Sequence, residues 1–154
     1  MKIVCIGAGR LAHQLMPALQ DAGCEIVQVY NRTPESAKLL SEKLKSASFT
    51  SKIEEIRPDA EIYFLTVSDD VIKPMAFELK KIITPEALAV HCSGILELDV
   101  LPFNRRAGFY PLQSFSDNHD VSFRFIPIII TTHDDDIWIE LDQIAGRLSS
   151  SVYR

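Results

Sequence analysis

The sequence predicts a doubly wound α/β fold: a mainly parallel sheet of about six to eight strands with helices on both faces. Two observations carry this. Short apolar runs alternate with amphipathic stretches, the βαβ rhythm of a parallel sheet. The runs are nearly all apolar rather than alternating, as expected where helices cover both faces of the sheet. The 154 residues, 47% apolar and 24% charged, fit one globular domain.

Taken in order, the expected strands are Lys2–Ile6, Glu25–Tyr30, a weak one at 47–50, then 61–67, 88–92, 107–110 and 125–131. After Gly9, residues Leu11, Leu15, Ala18, Leu19 and Ala22 form an apolar stripe at helical spacing. Gly23 is placed to stop that helix, and Pro17 inside it is expected to kink it. A second helix starts with Thr33 as N-cap, Pro34 at the first helical position and then Glu35. Asp69 and Asp70 open a third helix, and Asp134, Asp135 and Asp136 the last, where carboxylates suit the positive end of the helix dipole. That last helix carries Ile137, Leu141, Ile144, Ala145 and Leu148 on one side. Residues 94–103 are expected to make a short helical excursion and 113–122 a long polar loop. Ser151-Val152-Tyr153-Arg154 resembles the opening of another strand.

The strongest chemical signal is Gly7-Ala8-Gly9-Arg10-Leu11-Ala12, a G-x-G-x-x-A between the first strand and the first helix. Gly7 permits a tight turn, Gly9 lets the backbone approach a pyrophosphate, and Ala12 keeps the helix close to the strand. The helix start then offers free N–H groups and partial positive charge to phosphates. Alone the hexapeptide is weak; with a strand before it, a helix after it and a second strand following, it marks a Rossmann dinucleotide site. An NAD site usually has an acid at the end of the second strand, to accept from the adenosine ribose 2′-OH. Here the chain has Asn31-Arg32-Thr33. A guanidinium suits the 2′-phosphate of NADP, and Asn31 and Thr33 could add neutral hydrogen bonds. A charge-assisted hydrogen bond of about 1.5–3 kcal/mol corresponds to a tenfold to hundredfold preference for NADP(H). An S-adenosylmethionine site, which also uses a Gly-rich loop, is disfavoured because it too wants an acid where Arg32 stands.

Further candidates sit at the carboxyl ends of later strands, where open α/β sheets place ligands. Thr66, Val67 and Ser68 should lie along the cofactor. His91 and Ser93, with Gln113 and Ser114, should converge near the nicotinamide end. His91 is the candidate acid or base for carbonyl or imine reduction. Ser93, Gln113 and Ser114 could orient a substrate oxygen. The plain alternative for His91 is a hydrogen-bonded structural residue. Cys92 has no base beside it in sequence and is read as a small apolar neighbour. His13, His119 and His133 share no metal-binding spacing, and Asp134–Asp136 is a helix start rather than a calcium loop.

Composition narrows the function classes. A net charge of −5 argues against nucleic acid or an anionic membrane as partner. No stretch approaches the ~20 apolar residues of a membrane span, and the four apolar residues before Gly7 are too few for a secretory signal. Three cysteines, an odd number without metal-ligand spacing, fit reduced thiols in the cytoplasm.

Gly7–Ala12, Asn31-Arg32-Thr33, His91-x-Ser93-Gly94 and Pro111-Leu112-Gln113-Ser114-Phe115 together resemble a family of bacterial Rossmann-like NADP oxidoreductases. Its members carry a helical C-terminal domain of unknown function and are similar to pyrroline-carboxylate reductases and deazaflavin-dependent NADP reductases. The resemblance covers essentially the whole chain. It implies NADP as cofactor, a small-molecule substrate bound between two domains, and a homodimer formed through the helical domain. On that reading residues 1–154 are the NADP-binding domain, and the helical domain lies outside this chain. Two functions follow: the cofactor half of a reductase that moves a hydride between NADP(H) and a small carbonyl or imine, or a non-catalytic NADP(H)-binding sensor module.

Overall fold

In a computed structural model of the chain, which describes residues 1–117 and 120–154, one sheet runs through the molecule. His119, named above among the histidines, and part of the 113–122 loop lie outside the described residues. The strands are β1 (Lys2–Ile6), β2 (Glu25–Tyr30), β3 (Ser48–Thr50), β4 (Ile62–Leu65), β5 (Leu88–His91), β6 (Arg106–Pro111), β7 (Ile128–Thr131) and β8 (Val152–Tyr153). Their order across the sheet is β3-β2-β1-β4-β5-β6-β7-β8, parallel throughout except for the antiparallel pair β6–β7. The α/β class and the mainly parallel sheet are therefore as the sequence predicts, including the weak third strand and the terminal one.

Burial explains the all-apolar runs. Successive residues of β1 point to opposite cores: Ile3 and Cys5 join one cluster, Val4 and Ile6 the other. β4 divides in the same way, with Ile62 and Phe64 on one side and Tyr63 and Leu65 on the other. Helices α1 (Arg10–Asp21), α2 (Pro34–Ser41) and α4 (Asp135–Leu148) pack on the first face, and α3 (Asp69–Leu79) on the second. An edge-to-face pair, Phe64 and Phe109 with centroids 5.5 Å apart, joins the middle of the sheet to β6 under the first face. On the second face β6–β8 are less covered: Tyr110 and Ile129 are half-buried, and Thr131 and Tyr153 are exposed.

Helix α1 runs through Pro17 to Asp21 and stops before Gly23, as expected, while several other boundaries differ from expectation. Residues 123–125 form a 3-10 turn, and β7 begins only at Ile128, because Pro127 has no N–H for a ladder. Phe125, expected inside a strand, is 77% exposed. The expected helical excursion after Gly94 shrinks to a single 3-10 turn, Leu98–Val100. Thr33 occupies the N-cap position of α2, yet its side chain caps nothing. Among the described residues no helix is long and apolar enough to cross a membrane.

Asp134 does cap α4: its Oδ1 accepts from the N–H of Asp136 at 2.9 Å and of Ile137 at 3.2 Å. Asp134→Ala should therefore cost about 1 kcal/mol. Thermal denaturation would read this as a Tm lower by roughly 2–4 °C, and an unchanged Tm would contradict the cap.

Candidate functional site

β1 lies between β2 and β4, and the chain leaves β1 toward one face and β4 toward the other. This is the topological switch point at which open α/β sheets hold ligands. The loop that leaves β1 is fixed from below. Gly7 has φ +109°, and a β-carbon there would lie 2.8 Å from Val67 Cγ1 and 3.0 Å from the Thr66 carbonyl carbon. The Gly7 N–H donates to the Tyr30 carbonyl at 2.8 Å. The Thr66 hydroxyl lies 3.1 Å from the carbonyls of both Ile6 and Gly7, and the Cys5 thiol donates to the Gly7 carbonyl at 3.1 Å. Burial pushes that thiol up to about 12, so it stays protonated and able to donate.

Gly9 presents the opposite case. Its φ of −87° suits any residue, and a β-carbon there would meet nothing within 4 Å. None of the described residues requires glycine at this point; among them the bare backbone faces open space. No side chain caps α1, so the N–H groups of its first turn, from Gly9 onward, have no partner within the helix. Fully buried Ala12 holds that turn against the sheet.

The space in front of this turn is a cleft of about 340 Å³. Its floor is Gly7, Ala8 and Gly9, one wall is Tyr30 to Thr33, and the other is Thr66 to Ser68 with Val71 and Met75 of α3. Nine predicted residues thus meet around one cavity. Sequence reasoning missed Tyr30, Val71 and Met75. The i, i+4 spacing of Val71 and Met75 at the start of α3 was the available signal.

Among the described residues, the exposed Arg32 guanidinium shares its lack of polar partners with Arg124, which lies only over the Phe125 ring. Arg32 makes no hydrogen bond or ion pair there, whereas Arg10, Arg57, Arg105 and Arg154 each lie against a carboxylate. Arg10, expected at the cofactor, points instead to Asp117, with Nε 3.1 Å from Oδ2. Leu11 is half-buried against the first core.

The expected nicotinamide-end residues do not line the cleft. His91 is 2% exposed; its Nδ1 accepts from the Ser93 N–H at 3.3 Å, and its Nε2 is buried without a partner. A β-carbon on Gly108 would sit 3.2 Å from the His91 ring, so β6 carries glycine where the imidazole packs. Burial lowers the His91 pKa, with Asp69 opposing, and the ring is held neutral near pH 7. Ser93 Oγ accepts from the N–H groups of Ile95 and Leu96, both at 3.2 Å, and so shapes the turn after β5. Gln113 and Ser114 are exposed.

Fold and loop together define a dinucleotide-binding domain of the Rossmann type. Residues 1–74 match the family model "Shikimate / quinate 5-dehydrogenase". A "putative NADP oxidoreductase" from Bacteroides fragilis is 36% identical over 99% of this chain, with a TM-score of 0.92. The prephenate dehydrogenase of A. aeolicus, solved with hydroxyphenyl propionate and NAD+, shares the fold at 16% identity over the whole chain, TM-score 0.82. Synechocystis arogenate dehydrogenase shares it at 19% identity over 99% of the chain, TM-score 0.84. No curated protein matches the chain. The chain spans 59% of each of these three solved structures. The chain is thus similar to NAD(P)-dependent oxidoreductases and shares their Rossmann-type fold.

The two glycines should part company on mutation. Gly7→Ala meets backbone and Val67 and should cost at least ~1 kcal/mol from its positive φ alone, read as a lower Tm. Gly9→Ala should change stability by no more than ~0.5 kcal/mol while weakening dinucleotide binding more than about tenfold. Wild-type affinity in Gly9→Ala would refute the assignment of this space to the diphosphate.

Proposed function

We propose that this chain is the NADP(H)-binding half of a reductase that moves a hydride between NADP(H) and a small carbonyl or imine carbon. The observation that carries the reading is Arg32: an unpaired guanidinium on the cleft wall, at the strand end where an NAD site would carry an acid. A 2′-phosphate supplies the missing anion, and the unpaired Thr33 hydroxyl lies beside it. Gly7, Ala8, Gly9 and the first turn of α1 would cradle the diphosphate, with Thr66, Val67 and Ser68 along its other side. The hydride chemistry belongs to the nicotinamide; the protein binds, orients and excludes water.

His91 and Ser93 are proposed for the nicotinamide end, and Gln113 and Ser114 for the substrate. In the longer relatives further chain is present, and the half-covered face of β6–β8 offers a place for a second, helical domain to pack, close the substrate site and dimerise. A cytoplasmic setting suits the three buried free thiols. A binding-only sensor role is the second reading, favoured by the burial and engagement of His91 and Ser93 away from the cleft. Turnover by a longer protein carrying this chain separates the two.

Titration calorimetry tests the cofactor assignment directly. NADPH should bind at least about tenfold tighter than NADH, and Arg32→Ala should remove most of that margin. Equal affinities, or an Arg32→Ala variant that keeps the preference, would overturn it.

A further inference from the structure

The side chain of Asn31 joins the two loops that frame the cleft. Its Oδ1 accepts from the Ala8 N–H at 3.1 Å, in the diphosphate loop. Its Nδ2 donates to the Thr33 carbonyl at 3.2 Å, in the loop that carries Arg32. The backbone of Asn31 is held as well, its N–H donating to the Thr50 carbonyl of β3 at 3.2 Å. The side-chain amide is thus held at two points and the residue's backbone at a third, which leaves one Nδ2 hydrogen as the side chain's uncommitted donor.

Two consequences follow from this geometry. The first concerns the diphosphate loop. The N–H groups of Gly7 and Ala8 are both taken by the end of β2, one by the Tyr30 carbonyl and one by Asn31. The free N–H groups then begin at Gly9, where the backbone is bare and unobstructed. Asn31 therefore selects which amides are presented to an anion. The second concerns Arg32. Its two chain neighbours are each pinned, Asn31 through Thr50 and Thr33 through Asn31, while its own side chain is unpaired. A long side chain on a pinned backbone loses less freedom on binding than one on a free loop.

We infer that Asn31 is a positioning residue, a brace that sets the diphosphate loop and the Arg32 loop at a fixed spacing, and not itself a ligand of the 2′-phosphate. This rests on the dinucleotide reading above and deepens it. It also departs from the sequence expectation, in which Asn31 offers its hydrogen bonds to the phosphate. A direct ligand would act on NADP(H) alone. A brace acts on every dinucleotide that uses the diphosphate loop, whether or not it carries a 2′-phosphate.

The test compares NADPH and NADH binding to wild type, Asn31→Ala and Asn31→Ser by calorimetry, well below each Tm. Serine is too short to span both loops, so the two variants should agree, and either suffices if the other fails to fold. Losing the brace should weaken both dinucleotides by about threefold to tenfold, NADPH at least as much as NADH because Arg32 loses its pinned backbone, with a stoichiometry of one. A loss confined to NADPH would make Asn31 a phosphate ligand and overturn the brace, as would wild-type affinity for both. Amide exchange measured without any ligand keeps this separate from the cofactor reading. Exchange at Ala8 should speed up in both variants while β1 and β4 amides hold, and unchanged Ala8 exchange would overturn the brace even if neither dinucleotide binds wild type.

Discussion

The contact on which the rest of the structure depends is that between Gly7 and the end of β4. With φ at +109° and with Val67 and Thr66 in the space a β-carbon would need, Gly7 opens the short turn from β1 to α1. That turn sends α1 to one face of the sheet, while β4 sends α3 to the other. The cleft is the gap between them, so its floor exists because a side chain at residue 7 is forbidden. Thr66 and Cys5 reinforce the same point by holding the Gly7 carbonyl from beneath. The buried polar groups here are thus satisfied by one another, as a low-dielectric site requires.

Above this floor the requirements change in kind. Gly7 answers to the protein, whereas none of the described residues demands glycine at residue 9. The unpaired Arg32, the uncapped α1 and the unused Thr33 hydroxyl are donors without acceptors, gathered on one cavity. Surface donors of that kind cost little while water serves them, and a polyanionic ligand can then collect several at once. Asn31 belongs to the other group, since its amide is already committed to both loops.

Much of this was legible in the sequence, because the signals are local. Apolar runs of strand length, the spacing of Gly7, Gly9 and Ala12, and the absence of an acid beside Arg32 all survive without knowledge of tertiary contacts. What escaped depends on pairing or on space. Strand direction leaves no trace in periodicity, so the antiparallel β6–β7 pair could not be read. The stretch from Phe125 resembles a strand, and only Pro127 and the exposure of Phe125 explain why residues 123–125 turn instead. Thr33 sits where a cap belongs but does not bond as one. Nor does the sequence show that the Ser93 oxygen accepts from the backbone N–H groups of Ile95 and Leu96. The packing of His91 against Gly108 links β5 to β6, a relation no single-strand motif encodes.

The account stands or falls on the diphosphate lying over Gly9, and an amide-resolved NMR titration with NADPH addresses that most directly. The largest shifts are expected at Gly9, Arg10 and Leu11, with a second group at Arg32 and Thr33 and little change around a second groove, lined by Lys80, Ile83, Pro102 and Phe103 ahead of β5 and β6. Shifts centred on that groove, or spread evenly over the sheet while NADPH is bound, would contradict it.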